Sequence, residues 1–349
     1  MQWDLLCRVI DNFGDVGVAL RLARDLAHRG EQVRLWLDDA RALVWMAPKG
    51  AAGVEILAWG QQAHATPGDV VVETFGCDPE PAFIHAMAKR QNPPLWINLE
   101  HLSAEPFAQR CHGLASPVAA GPGRGLVKRF YYPGFTPGSG GLIREPGLLA
   151  RQAAFDAPAW LAGMGLVRRA GERVVSLFCY PEAPVAELLA ALAGQPTALL
   201  LAPGAAAQAL LASRANWPAG LRALALPWLS QADHDHLLWA SALNFVRGED
   251  SFVRAQWAGR PFVWQIYPQH DGAHGPKLQA YLGNYLEQAD AALAAGLSAL
   301  FAAWNGLAPP PLTWPAAQPW HAHALAWREQ LAAQPDLTTR LLRFAAEHR

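Results

Sequence analysis

Short apolar runs alternate with helix-spaced segments along two long stretches of this chain, and that alternation constrains the fold more than any other feature. Residues 5–10, 32–37, 54–57, 70–73 and 95–99 have strand length and strand composition. Between the first two, residues 18–28 repeat apolar side chains at helical spacing through Val18, Leu22 and Leu26, and Gly30 supplies the stop. Residues 80–89 read as a further helix ahead of Pro93 and Pro94, and residues 121–147, rich in Gly and Pro, read as long loops. A second series begins near Arg173, with strands at 174–179, 198–202, 221–226 and 243–246 and helices at 184–193, 205–213 and 233–241. Repeated β/α alternation predicts parallel sheets with helices on both faces.

At 349 residues the chain is long enough for two such domains. The expectation is one Rossmann-like domain over 1–155 and another over 165–325. The amphipathic segment 336–348, with Leu337, Leu341, Leu342 and Phe344, is expected to complete the first domain as part of a C-terminal stretch, 330–349. A cleft between two such sheets suits a nucleotide and a second substrate.

The formal net charge is −1, so no overall field recruits nucleic acid or an anionic membrane. The four cysteines, Cys7, Cys77, Cys111 and Cys179, form no C-x-x-C pair. Cys7 and Cys179 lie in apolar runs and read as buried reduced thiols. The N-terminus lacks a basic start followed by an apolar core. The apolar region 183–212 is broken by Glu187, Pro196 and Pro203, which rules against a membrane span. A cytoplasmic protein without membrane or nucleic-acid partners is expected.

Two charged turns stand at strand ends, where open α/β sheets bind ligands. The denser is Arg247-Gly248-Glu249-Asp250-Ser251, after the run 243–246 and before a helix that stops at Gly259 and Pro261. A cation, two carboxylates and a hydroxyl meet a helix N-terminus there, with its free N–H groups and positive dipole end. A phosphate-bearing ligand fits that chemistry. A plain N-cap at Asp250 or Ser251, with Arg247 paired to a neighbouring carboxylate, also accounts for the residues. The other turn is Asp11-Asn12-Phe13-Gly14-Asp15-Val16-Gly17. It stands where a dinucleotide-binding glycine loop would be, but lacks G-x-G-x-x-G, and its carboxylates would repel a pyrophosphate. It suits a cation or a base; equally, Asp11 or Asp15 could cap the helix.

The run Asp233-His234-Asp235-His236 has metal-ligand residue types, but adjacent helical positions point apart, and a solvated helix start is the simpler reading. His270, Asp271 and His274 fall in a loop without the Cys or Glu that a zinc site would add. No P-loop, G-x-S-x-G or H-E-x-x-H occurs. Phe178, Tyr180, Trp228, Phe252 and Tyr267 lie near strand ends of the second series. Core packing accounts for most of them; Tyr180 is a candidate for stacking on a nucleobase.

These motifs together resemble the EF-P arginine rhamnosyltransferases (EarP). The resemblance is carried by C-R-V-I-D-N-F-G-D-V-G-V at 7–18, I-N-L-E-H-L-S-A-E-P-F at 97–107, C-H-G-L-A-S-P at 111–117, F-Y-Y-P-G-F-T-P-G-S-G-G-L-I-R-E at 130–145, S-L-F-C-Y at 176–180 and N-F-V-R-G-E-D-S-F-V-R-A-Q-W-A-G-R-P-F-V-W-Q-I-Y-P-Q at 244–269. It implies an α/β protein of GT-B glycosyltransferase fold, with two Rossmann-like domains facing a cleft. It also implies inverting transfer of L-rhamnose from dTDP-β-L-rhamnose to an arginine side chain of translation elongation factor P (EF-P), activating that factor for rescue of ribosomes stalled at polyproline. No metal or other cofactor is implied. The first domain would engage EF-P and the second the donor.

Carried over by the same resemblance, Asp15 matches the general base, Asp11 a second functional carboxylate and Glu249 the catalytic glutamate. Asn12, Phe13 and Gly14 fall on the sugar side of the donor, and Gly17 is a further donor-binding residue. Arg247, Asp250 and Ser251 match donor contacts, and Tyr180, Gln231 and Tyr267 the nucleotide and diphosphate surroundings. The chain departs from the family at Trp228, where Phe is frequent, at His101, where Tyr is frequent, and in the loop His270-Asp271-Gly272. Two alternatives fit the residues: a GT-B enzyme with another acceptor, and a non-catalytic sugar-nucleotide-binding partner of the translation machinery.

Overall fold

The structure is a computed structural model that describes residues 1–9, 13–268 and 272–348. The chain divides into two compact units, Met1–Pro146 with Ala332–Arg349, and Gly147–Leu331.

The first unit is built on strands β1 (Gln2–Cys7), β2 (Gln32–Leu37), β3 (Val54–Ala58), β4 (Val70–Thr74), β5 (Leu95–Leu99), β6 (Ala115–Pro117) and β7 (Val127–Tyr131), in the order β3-β2-β1-β4-β5-β7-β6. All neighbours pair in parallel except β6 with β7. Helices α1 (Gly14–His28), α2 (Leu43–Met46), α3 (Pro81–Lys89) and α4 (Pro106–Cys111) connect them. β4 and β5 are buried along their whole length, as parallel strands covered on both faces are, and after the apolar runs 70–72 and 95–97 they carry buried polar residues, Glu73 and Thr74 in β4 and Asn98 in β5. The direction of strand order reverses between β1 and β4, so a crevice opens at their carboxyl ends.

Two expectations need correction here. The first strand runs from Gln2 rather than from Leu5. Asp4 looks like a loop residue, but it is fully buried and accepts from Arg34 Nε and Nη2 (both 2.7 Å), Trp36 Nε1 (2.9 Å) and the Gly68 amide (2.6 Å). Residue 10, the other end of the expected strand, lies outside the described residues. The stretch 121–147 is not all loop, since β7 lies inside it. Its Lys128, Arg129 and Phe130 are only half-buried and Val127 is exposed, so it lacks a buried strand's apolar signature, yet it bonds β5 on one side and β6 on the other.

The second unit starts with α5 (Leu148–Ala153) and α6 (Ala157–Gly163). Strands β8 (Arg173–Leu177), β9 (Thr197–Leu201), β10 (Leu221–Ala225), β11 (Leu243–Arg247) and β12 (Phe262–Gln265) follow, all parallel, in the order β10-β9-β8-β11-β12. Its helices are α7 (Val185–Leu192), α8 (Ala205–Ala212), α9 (Gln231–Ala240), α10 (Glu249–Ala258), α11 (His274–Tyr285), α12 (Ala291–Trp304) and α13 (Ala317–Ala332). The strand-order reversal lies between β8 and β11.

The last helix, α14 (Leu337–Glu347), packs into the core of the first unit through Leu337, Leu341 and Ala345. Asp336 caps it by accepting from the Thr339 amide (2.9 Å) and pairs with Arg29 (2.7 Å). Among the described residues no helix is long and apolar enough to cross a membrane.

Candidate functional site

In each unit a helix follows a strand at the topological switch point, α1 after β1 in the first and α10 after β11 in the second.

In the second unit β11 ends at Arg247. Gly248 then turns the chain with φ 66° and ψ −173°, a conformation that only glycine adopts readily, and α10 begins at once with Glu249. The helix therefore starts two residues before Ser251, earlier than the sequence signalled. Gly248 is the N-cap, so Glu249, Asp250 and Ser251 fill the first turn and none of them is a plain cap. Glu249 and Asp250 are half-buried and Ser251 is buried.

The Arg247 guanidinium lies 4.4 Å from the ring centres of both Phe178 and Tyr180, which follow β8, the adjacent strand. Its Nε is buried and, among the described residues, has no hydrogen-bond partner. A buried, charged donor left unmet is costly unless something else meets it. Tyr180 is buried; its amide donates to Gln265 Oε1 (2.7 Å), and its ring meets Tyr267 edge-on at 5.4 Å. Tyr267 is 47% exposed and Trp228 54% exposed, so both rings are open to solvent. Gln231 is the first residue of α9 and is buried.

In the first unit α1 begins at Gly14, with Phe13 as N-cap and no side-chain cap. Asp15 sits inside the first turn, where the helix dipole favours an ionised carboxylate. The Phe13 ring packs edge-on to Trp45 at 5.2 Å, its carbonyl accepts from the Gly17 amide (3.1 Å), and Gly17 is buried. Asp11 and Asn12 lie outside the described residues, as do His270 and Asp271.

Beside this turn, at the carboxyl end of β4, Phe75 and Asp78 adopt positive φ (58° and 31°) without being glycine. The Asn98 carbonyl oxygen accepts from the Gly76 amide (3.0 Å), and the Asn98 amide donates to Glu100 (2.8 Å). Phe75 stacks on His101 at 4.1 Å. Burial pushes the Glu100 carboxyl above its usual range. Gly76 (φ 67°) marks a turn here, but nothing in the local sequence announces the positive φ of its neighbours Phe75 and Asp78, which are not glycines.

In the Asp233–His236 run, Asp235 pairs with Arg254 (2.7 Å), and Asp233 accepts from Ser230 Oγ (2.6 Å) and Trp160 Nε1 (3.2 Å). The solvated helix start expected for Asp235 is corrected, since its carboxylate is buried against that arginine. Among the described residues no group of three His, Cys, Asp or Glu side chains could hold a metal ion. All four cysteines are free, with Cys7, Cys77 and Cys179 buried. Burial lifts the Cys77 and Cys179 thiols to about 12, well away from nucleophilic use.

Comparison with known proteins settles the family. The profile of the family described as Elongation-Factor P (EF-P) rhamnosyltransferase EarP matches residues 3–346. The chain belongs to this family. It is 41% identical, over an alignment 383 positions long that covers 99% of each chain, to a protein-arginine rhamnosyltransferase of Pseudomonas aeruginosa. A solved structure described as the structural basis for EarP-mediated arginine glycosylation of translation elongation factor EF-P covers all of this chain, and 99% of its own, at 32% identity and a TM-score of 0.70. The spinosyn rhamnosyltransferase SpnG, at 16% identity and a TM-score of 0.54, covers 99% of this chain and 100% of its own and shares the fold. The fold is thus GT-B, and the chain is a glycosyltransferase.

Proposed function

We propose that this enzyme transfers L-rhamnose from dTDP-β-L-rhamnose to an arginine side chain of EF-P, with inversion at the anomeric carbon. The observation that carries the donor assignment is Arg247, a guanidinium stacked on Phe178 and Tyr180 at the start of α10 with a buried Nε unmet among the described residues. A diphosphate would meet it with charge-assisted hydrogen bonds and would lie at the N-terminus of α10. Asp250, Ser251, Gln231 and Tyr267 complete this donor half in the proposal, with Tyr180 and the exposed Trp228 ring beside the base. The acceptor assignment follows from the family and from the carboxylate-bearing turn before α1. Asn12, Phe13 and Gly14 border the sugar there, with Gly17 a further donor-binding residue.

Guanidinium is a poor nucleophile, because its electron pairs are delocalised and it stays protonated. Asp11 and Asp15 are suited to grip it as a fork and draw its charge to one end. One nitrogen then attacks the anomeric carbon as the bond to the diphosphate oxygen breaks, and Asp15 takes the proton. The leaving diphosphate gains from Arg247 and the helix N–H groups, and the oxocarbenium-like sugar from Glu249. The reading assigns no metal to the step and places the reaction in the cytoplasm, where translation supplies the acceptor.

The test is an intact-mass measurement of EF-P after incubation with the enzyme and, separately, dTDP-rhamnose, dTDP-glucose and UDP-glucose. One deoxyhexose added from dTDP-rhamnose alone is expected. Equal transfer from UDP-glucose, or transfer to free arginine with EF-P unmodified, would overturn the assignment.

A further inference from the structure

We propose that the buried ion pair between Arg254 and Asp235 is a positioning device for the donor half of the site; the inference rests on the donor reading above. Arg254 lies on α10 and Asp235 on α9. The contact is a two-pronged fork, with Nε to Oδ1 and Nη2 to Oδ2, each 2.7 Å. Arg254 is 2% exposed and Asp235 6% exposed.

The placement of the fork along the helices gives it its role. Residues four apart on a helix share a face, one turn apart. Gln231, at the first position of α9, is four residues before Asp235. Asp250 is four and Ser251 three residues before Arg254. The fork thus sits one turn below the donor-facing residues of both helices and fixes the two first turns against each other. The start of α9 is independently fixed, because Ser230 caps it by accepting from the Asp233 amide (3.1 Å) and Trp160 donates to Asp233 (3.2 Å). Asn244 extends the brace to the sheet: its amide donates to the Leu238 carbonyl of α9 (3.1 Å), and its carbonyl oxygen accepts from Ser176 of β8 (2.5 Å).

Stability alone gives little reason for such a pair. The neighbouring buried residues of α9 and α10 include Leu237, Leu238, Phe252 and Ala255. Well-packed apolar residues usually hold two helices together as well as a buried ion pair does, or better. A bidentate fork adds a fixed distance and rotation between the helices, and rigid support of that kind is what a ligand-gripping first turn requires.

The test uses the full chain with Arg254→Lys, Asp235→Asn and the apolar double variant Arg254→Met/Asp235→Leu. Calorimetry with thymidine diphosphate, the thermal midpoint, and separate KM values for donor and acceptor are measured. The single variants are expected to weaken thymidine diphosphate on the order of 10- to 100-fold, the scale of a displacement of about 1 Å at a ligand-gripping group. The donor KM rises with it, and the acceptor KM does not. The double variant is expected to regain the thermal midpoint but not the affinity; recovery of both would show that the pair only stabilises and would overturn the proposal. Amide exchange without ligand adds a readout independent of the donor. Exchange at 231–233 and 249–252 is expected to quicken in the double variant, and unchanged exchange there would also overturn the proposal. If the unaltered chain fails to bind thymidine diphosphate, the donor reading is what fails, and the exchange measurement still decides the positioning role.

Discussion

Replacing Arg247 by alanine isolates the donor half of the proposed mechanism. The guanidinium touches two aromatic rings at 4.4 Å and carries a buried Nε without a partner among the described residues. In the free protein, truncation removes two cation–π contacts, each worth about 0.5–1 kcal/mol, and relieves one unmet buried donor costing about 1–3 kcal/mol. These terms oppose each other, so the thermal midpoint should move by no more than about 3 °C. Binding is different, because a charge-assisted hydrogen bond to the diphosphate, worth about 1.5–3 kcal/mol, is lost with nothing to offset it. That corresponds to thymidine diphosphate binding about 10- to 150-fold more weakly. Calorimetric titration of both proteins at one fixed salt concentration measures it. Arg247→Lys keeps the charge but loses the flat stacking surface, so its affinity should fall between the two. Equal affinities for the alanine variant and the unaltered chain, with both folded, would refute the assignment of Arg247 to the diphosphate.

Asp15→Asn and Glu249→Gln are each expected to abolish rhamnose transfer, by the intact mass of EF-P, while circular dichroism stays unchanged. Full modification by Asp15→Asn would remove it from the role of base, and Glu249→Gln should bind thymidine diphosphate at least as tightly as the unaltered chain. Gly248→Ala finds room, since the nearest atom to an added Cβ is the Tyr180 hydroxyl at 4.0 Å, but φ 66° with ψ −173° strains any side chain. It should cost about 1–3 kcal/mol and weaken donor binding, and an unchanged melting curve would show that the turn relaxes freely. Glu73 supplies a pH signature. It is fully buried, hydrogen-bonded by Trp96 Nε1 (3.1 Å) and 2.6 Å from Lys128 Nζ, yet burial outweighs these partners and lifts its carboxyl from 4.5 to about 7. The folded chain therefore holds this proton more tightly than the unfolded one. The contribution is full below about pH 4.5 and is lost as pH rises through about 7. Relative to Glu73→Gln, the unaltered chain should lose up to about 3 kcal/mol of stability between pH 5 and 8, and a pH-independent difference in denaturant midpoints would contradict this.

How far the sequence reveals the protein depends on whether a feature is local. Strands β2 and β5 have the limits the sequence predicts, because apolar residues dominate both and the polar ones are few, Gln32 and Arg34 in β2 and Asn98 in β5. Strand β1 is displaced because its buried Asp4 is neutralised by Arg34, thirty residues away in sequence. Strand β7 is hidden because its half-buried Lys and Arg resemble a loop. Helix α12 sets Leu293, Leu297, Leu300, Phe301 and Trp304 at helical spacing on one buried face, but its other face is mostly alanine rather than charged residues, so the contrast that marks a surface helix is weak. The candidate site divides in the same way. Arg247 to Ser251 are contiguous and follow a strand, so their chemistry can be read in order. The stacking of Arg247 on Phe178, the fork between Arg254 and Asp235, and the left-handed Phe75 against His101 join residues that are remote in sequence or lack a conformational marker.

The expected behaviour of Glu249→Gln follows from an electrostatic conflict built into α10. The first turn of a helix attracts negative charge, worth about 0.3–1 kcal/mol for each surface carboxylate. In α10 that place is already taken by Glu249 and Asp250. A diphosphate bound at the same N-terminus would compete with them for the dipole and be repelled by them. Simple affinity for the donor would favour neutral residues there. Their presence makes sense if one carboxylate serves a positive charge that develops only during the reaction, such as that on the sugar as the leaving bond stretches. A group of this kind weakens the ground-state complex and strengthens the transition state, which is the differential binding that accelerates chemistry. Neutralising Glu249 should therefore separate the two quantities, with affinity for thymidine diphosphate held or raised and transfer lost. A variant that lost both in proportion would instead place Glu249 among the donor contacts, leaving the developing charge to be met by other groups.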